Sequence, residues 1–151
     1  MKTICNYSLM GITLVFGLLF LTYSSCKGPE PVVEPTPVEV TTALLIGSAW
    51  VVQSVKVDDV ALDLYKSLNV SFTADGKYTS VNGGAIWSAS GTWKFKDETA
   101  KVMIREDGLE IAIDAITEKA MTISFTRTGD TVYEGGRNEA VSGKHVFTFG
   151  R

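Results

Sequence analysis

From residue 43 onward, apolar side chains recur at every second position in short runs separated by Gly, Asn and Asp. That is the pattern of half-buried β-strands. Residues 69–74 and 77–81 form a hairpin around Asp75-Gly76. A two-residue turn there would set Phe72 against Thr79, whereas a three-residue loop ending in a left-handed Gly76 sets Phe72 against Tyr78. A one-residue slip moves every side chain to the other face. The three-residue loop keeps both aromatics on one face and is the predicted register. Residues 90–96 alternate cleanly, with Trp93 and Phe95 inward, and residues 101–105 place Val102 and Ile104 inward. The second Asp-Gly, at 107–108, predicts a tight two-residue turn. It pairs Ile104 with Ile111 and Val102 with Ile113, and sets Arg105 opposite Glu110 on the wet face. Leu109, Ile111, Ile113 and Ala115 then face inward. Met121, Ile123 and Phe125 follow, and His145, Phe147 and Phe149 share one face of the last strand, 143–151.

Two segments are less decided. Residues 49–57 are apolar on both faces, Val51, Val55 and Val57 against Trp50 and Val52. Residues 60–67 fit either a short helical turn beginning near Asp59 or a loop. A polar stretch, 128–142, precedes the last strand. The count is about eight antiparallel strands with short turns and no helix longer than two turns. The fold class is therefore all-β, and an eight-stranded up-and-down sheet removes its edges most simply by closing into a barrel. Such a barrel is filled by side chains or holds one small ligand.

The first 42 residues follow other rules. Lys2 precedes an apolar run from residue 9 to 21, shorter than the 18 to 20 residues of a comfortable membrane span and suited to a secretory signal over residues 1–25. Thr22-Tyr23-Ser24-Ser25-Cys26 resembles the lipobox of bacterial lipoproteins, with Tyr23 where that motif usually has Leu. The expectation is cleavage before Cys26 and acylation of its sulfur, palmitate included; the alternative is an ordinary signal with a chance cysteine. The only other cysteine, Cys5, leaves with the signal, so the mature chain has no free thiol and no disulfide. Residues 26–42 hold all four prolines, interleaved with Glu and Val. They read as the lipidated N-terminus followed by a semi-extended spacer. The barrel domain is then 43–151.

Charge narrows the partners. The mature chain loses Lys2, one of 14 basic residues, and keeps 17 acidic ones, a net charge of −4. With basic residues scattered singly, nucleic acid is not expected. Catalysis would have to rest on His145, the single histidine. No Ser sits in a nucleophile elbow, and the pairs Asp58-Asp59, Asp97-Glu98 and Glu106-Asp107 fall at turns, where turn chemistry explains them better than calcium. The chain is thus read as a non-enzyme without cofactor or metal, and as a monomer. Trp87, in a Gly-rich connection, is either a cap over one barrel end or an aromatic at a pocket mouth. Tyr133, Glu134 and Arg137 are further rim candidates.

Gly47-Ser48-Ala49-Trp50, residues 70–78, Gly91-Thr92-Trp93 and the ending 142–149 together resemble the lipocalin-like domain of small bacterial lipoproteins, over about 105 residues from Leu45. Lipocalins place Gly-x-Trp on the first strand; here the spacing is one residue longer. They also carry disulfides and an Arg over that Trp, which this sequence does not locate. The resemblance implies a cell-envelope barrel anchored to the outer membrane through Cys26. The ligand reading has Trp50, Phe72, Tyr78, Trp93 and Phe125 lining or flooring a site for a small, largely apolar molecule, with Trp87 at its mouth. The alternative is a packed barrel that offers its surface to a protein or glycan.

Overall fold

The computed structural model describes residues 33–151 except 64, 130–131 and 135–136, and the backbone alone at 132–134 and 137–140. The signal region, Cys26 and the first part of the spacer lie outside the described residues, as do the side chains of Tyr133, Glu134 and Arg137.

Among the described residues the first element is a helix, α1 (Pro37–Leu45), where the proline spacing predicts extended spacer up to residue 42. Thr36 is the N-cap. Its Oγ1 accepts a hydrogen bond from the Glu39 amide at 3.2 Å, and Glu39 Oε2 accepts one from the Thr36 amide at 2.7 Å. This is a capping box. Pro37 stands at the first helical position, where a missing N–H costs nothing. Leu45, at the far end, is wholly buried, and the chain leaves the helix in an extended conformation at Ile46.

Among the described residues eleven strands follow: β1 (Trp50–Val57), β2 (Val60–Leu62), β3 (Asn69–Phe72), β4 (Lys77–Val81), β5 (Ser90–Phe95), β6 (Val102–Arg105), β7 (Glu110–Ile116), β8 (Ala120–Arg127), β9 (Val132–Glu134), β10 (Arg137–Ala140) and β11 (Gly143–Gly150). Eight of them close into an antiparallel barrel in the order β1-β3-β4-β5-β6-β7-β8-β11, and β11 pairs back onto β1 along six residue pairs. These eight are the strands read from the alternation. β2 pairs with the last three residues of β1, and β9 with β10 in a separate hairpin. Residues 60–62 are thus strand, not helical turn. Asp58 and Asp59 both take positive φ, 47° and 65°, which makes the link from β1 to β2 a primed two-residue turn.

The double-sided apolar pattern of β1 has a physical cause. The register against β11 shifts between Val52 and Ser54. This bulge turns the strand over by one residue, so Trp50 and Val52 before it and Val55 and Val57 after it all point inward. A similar shift between Ile113 and Ala115 in β7 leaves Ala115 exposed and brings Ile116 toward the core instead, correcting the expected inward Ala115.

The opening hairpin has the predicted register, Phe72 opposite Tyr78. Gly76 sits at φ 75° and its amide donates to the Thr73 carbonyl at 3.1 Å. The second Asp-Gly repeats this loop rather than forming the tight turn. Ile104 pairs with Glu110, Met103 with Ile111 and Val102 with Ala112, and the Gly108 amide donates to the Arg105 carbonyl at 2.9 Å. Consequently Met103 and Arg105 face the interior, while Val102 and Ile104 lie half-buried on the outer face. Outside, Glu110 pairs with Lys96 of the next hairpin at 2.8 Å. The expected register failed because it matched Ile104 with Ile111 inside and kept Arg105 with Glu110 on the wet face, whereas the barrel gives Arg105 hydrogen-bond partners inside.

Candidate functional site

The barrel has two ends. Near one lie α1, the 74–76, 96–101 and 117–119 turns and the last residue, Arg151. At the other lie the β1–β2 turn, the connections 82–89 and 106–108, and residues 128–129 and 141–142. We call the second the loop end.

At the helix end, Trp50 is fully buried and its Nε1 donates to the Leu45 carbonyl at 3.0 Å. The Arg151 guanidinium covers the ring, with Cζ 3.7 Å from the centroid. Its Nη2 lies 2.7, 2.9 and 3.1 Å from the carbonyls of Leu44, Leu45 and Ile46. These are acceptors left over at a helix C-terminus, where a cation also meets the negative end of the helix dipole. One arginine therefore fastens helix, first strand and last strand together.

At the loop end the connection 82–89 folds inward. The amides of Ile86 and Trp87 donate to the Gly83 carbonyl at 3.3 and 3.1 Å, and Ser80 Oγ donates to Ser88 O at 2.8 Å. A side chain on Gly83 would collide with the Trp87 backbone and Cβ, so only Gly lets this loop close. Ile86 and Trp87 are buried as a plug. Under them lies Arg105, 7% exposed, with its Cζ 5.2 Å from the Trp87 ring centroid and 5.9 Å from that of Tyr78. Arg105 Nη1 donates to the Ile86 carbonyl at 2.7 Å, and Nε and Nη2 engage the Asp107 carboxylate. Burial acts to raise the Asp107 pKa. The hydrogen bonds from Arg105 and the Leu109 amide, with the Arg105 charge, outweigh it and hold the carboxyl below its ordinary value. Cation–π contact and three hydrogen bonds thus make a buried arginine tolerable.

The remaining interior is a ring-rich core. Phe72 meets Trp93 edge-on at 5.7 Å, Trp93 meets Phe95 at 5.1 Å and Tyr78 meets Trp87 at 5.8 Å. Phe125 and His145 stack at 5.1 Å with planes 5° apart, and Phe147 and Phe149 continue the column. Trp50, Phe72, Tyr78, Trp87, Trp93 and Phe125 are all at most 8% exposed. The structure joins them in one core cluster. Phe125 also borders a surface cleft on the outer face of β6, β7 and β8 that includes Glu110, Ala112, Ser124 and Lys144. A groove of about 530 Å³ lies elsewhere, between α1 and the β7–β8 turn, with Val40, Leu44, Glu118 and Arg151 in its wall.

Among the described residues, two buried polar atoms stand apart. Trp87 Nε1 and His145 Nε2 have no hydrogen-bond partner there. His145 is completely buried, and its Nδ1 lies 3.1 Å from the Gly143 carbonyl, which makes Nδ1 the donor and Nε2 the bare nitrogen. Burial holds its pKa below the ordinary value, and Arg127 adds to this against the opposing pull of the Gly143 carbonyl and Asp58.

No protein-family model, curated protein or solved structure matches this chain. Among the described residues, no group of three His, Cys, Asp or Glu side chains could hold a metal ion, and no helix is long and apolar enough to cross a membrane. The acid pairs bond to backbone amides, Asp97 within its own turn and Glu106 and Asp58 across to a neighbouring strand. Asp97 Oδ1 accepts the Thr99 amide at 2.9 Å, Glu106 Oε2 accepts the Thr92 amide at 2.8 Å, and Asp58 Oδ1 accepts the Lys144 amide at 2.8 Å. Sequence reasoning missed Arg105 and Arg151. Neither lies in a motif, and their roles depend on a register and a closure that join distant strands.

Proposed function

We propose that the chain is an outer-membrane-anchored lipoprotein of the cell envelope, acylated at Cys26. Its lipocalin-like barrel acts as an interaction module, presenting its outer surface and loop end to another envelope protein or a glycan. The observation that carries the interaction reading is the filled interior. Of the six aromatics that would line a pocket, Phe72 packs on Trp93, Tyr78 on Trp87, Trp87 on Arg105, Trp50 on Arg151 and Phe125 on His145 and Phe147, and the 82–89 plug folds in at the loop end. Arg151 over Trp50 supports the lipocalin-like reading, since that resemblance implies an arginine at this place. The anchoring part rests on the residues before Cys26.

A second reading, a small and largely apolar ligand inside the barrel, is favoured by the unpartnered Trp87 Nε1 and His145 Nε2. A buried polar atom without a partner costs on the order of 1–3 kcal/mol, and a ligand acceptor or donor would recover it. Titration of the soluble domain with a fluorescent fatty-acid analogue separates the readings. The interaction module gives no saturable signal, while saturable quenching of tryptophan emission at one equivalent refutes it and establishes the second. Anchoring is tested by Cys26→Ala, which leaves unprocessed precursor without fatty-acid label. A wild-type protein that is soluble without detergent and carries no label overturns it.

A further inference from the structure

α1 carries more apolar surface than it buries. Its nine residues hold one charged side chain, Glu39, and that carboxylate is committed to the capping box, where it accepts from the Thr36 amide and hydroxyl. Leu45 packs into the core, and Val38, Thr41 and Thr42 lie half-buried on the same stripe of the helix. Val40, Ala43 and Leu44, at i, i+3 and i+4, form a second stripe. Val40 is 44% exposed, Ala43 is exposed and Leu44 is half-buried. All three line the groove of about 530 Å³ that Glu118 and Arg151 close on the other side. A surface helix ordinarily turns charged side chains outward; this one offers a bare apolar face.

That face cannot roll inward. Arg151 Nη2 holds the carbonyls of Leu44, Leu45 and Ile46, and Leu45 is wholly buried. The direction of the stripe is therefore set before anything binds, which removes an ordering cost from binding. Cations flank it. The Arg151 amide donates to the Lys119 carbonyl at 3.1 Å, which brings these two basic residues together. Lys119 is exposed, and among the described residues Arg151 Nε and Nη1 make no hydrogen bond. Glu118, also exposed, is the opposing charge in the groove wall.

We propose that this face docks on a lipid surface: Val40, Ala43 and Leu44 enter the interfacial layer of the bilayer, and Arg151 and Lys119 meet lipid phosphates. The inference rests on the anchoring of Cys26. The chain advances ten residues from Cys26 to Thr36, at most about 35 Å when fully extended. An acylated Cys26 thus keeps α1 within that distance of the bilayer. At the effective concentration such a short tether imposes, a contact of three small apolar side chains suffices. The same tether argues for lipid over a soluble partner, since the bilayer is the surface always within reach of the groove. Docked in this way, the helix end leaves the loop end and the outer barrel wall open to the partner proposed above.

The test uses the full mature chain reconstituted in vesicles of phosphatidylethanolamine and phosphatidylglycerol. Cys26 is the mature chain's only cysteine and its sulfur is blocked by the acyl group, so Val40→Cys and Val60→Cys each supply one free thiol for an environment-sensitive fluorophore. Val60, on β2 beside the loop end, is 62% exposed and is the control. The probe at 40 should shift to the blue, lose most of its emission to a spin-labelled lipid and resist iodide. The probe at 60 should keep a solvent-like emission, ignore the spin label and be quenched by iodide. Solvent-like emission at 40 from protein that floats with the vesicles overturns the docking and leaves the anchor standing. A blue shift at 40 without quenching by the lipid label also overturns it, because protein, a second copy included, then covers the groove. Protein that does not float with the vesicles lacks the anchor, and the anchoring reading and the docking fall together.

Discussion

Two glycines with almost the same backbone angle should respond differently to substitution. Gly76 (φ 75°) and Gly108 (φ 81°) close equivalent three-residue loops. A Cβ on Gly108 meets nothing within 4 Å, whereas one on Gly76 comes within 2.9 Å of the Trp93 carbonyl oxygen. Placing Ala in the left-handed region costs roughly 1–2 kcal/mol, partly offset by about 0.4–1 kcal/mol from a stiffer unfolded chain. Gly108→Ala should therefore cost about 1 kcal/mol. Gly76→Ala carries the same backbone cost, and the crowding also disturbs the 2.8 Å hydrogen bond from the Trp93 amide to the Gly76 carbonyl. Losing that bond adds about 1 kcal/mol, for a total near 2 kcal/mol. Asn tolerates positive φ, so Gly108→Asn should recover most of the loss, while Gly76→Asn should not, because its Cβ meets the same oxygen. The assay is urea denaturation followed by tryptophan fluorescence. At a slope of about 1–3 kcal/mol per molar urea, the two Ala variants should separate by several tenths of a molar in midpoint with a common slope. Equal midpoints, or a Gly76→Asn as stable as Gly108→Asn, would mean that close approach to β5 does not constrain the first loop.

Arg105→Ala should cost about 3 kcal/mol, the lower end for breaking a buried pair because Asp107 is half exposed, and Asp107→Asn clearly less; thermal unfolding of both variants checks the order. Arg151→Ala should loosen α1, seen as faster amide exchange over residues 40–45 and a changed Trp50 emission. Arg151→Lys should restore little of it, since an ammonium cannot both lie flat on the ring and reach three carbonyls. Stability should fall twice on acidification, first below about pH 6.5 through His145, whose folded pKa is lowered, then below the ordinary carboxylate range as Asp107 is protonated, because an acid with a lowered folded pKa stabilises only while ionised. Urea midpoints from pH 8 to 3 test this, and a midpoint that rises between pH 7 and 5 would contradict the first step.

Alternation with a period of two is a local property, so the eight barrel strands, the inward faces of β8 and β11 and the Phe72–Tyr78 register could be read directly from the chain. The capping box at Thr36 and Glu39 is a local pattern too, yet the four prolines close by give the segment the look of an extended spacer, although Pro37 stands where a helix accepts proline. What the sequence could not decide were matters of register and closure. Bulges in β1 and β7 change which face is inward without any single residue announcing it. The second hairpin was misread because, residue by residue, Arg105 belongs in water and Ile104 inside. Only the assembled barrel supplies the Ile86 carbonyl, the Trp87 and Tyr78 rings and the Asp107 carboxylate that make Arg105 stable inside. Arg151 likewise gains its meaning from β11 returning to β1, which brings the last residue over Trp50, about a hundred positions away in sequence. Local patterning determines which segments are strands; the burial of charge and the filling of the interior are settled by contacts between strands far apart in the chain, and those exist only once the sheet has closed.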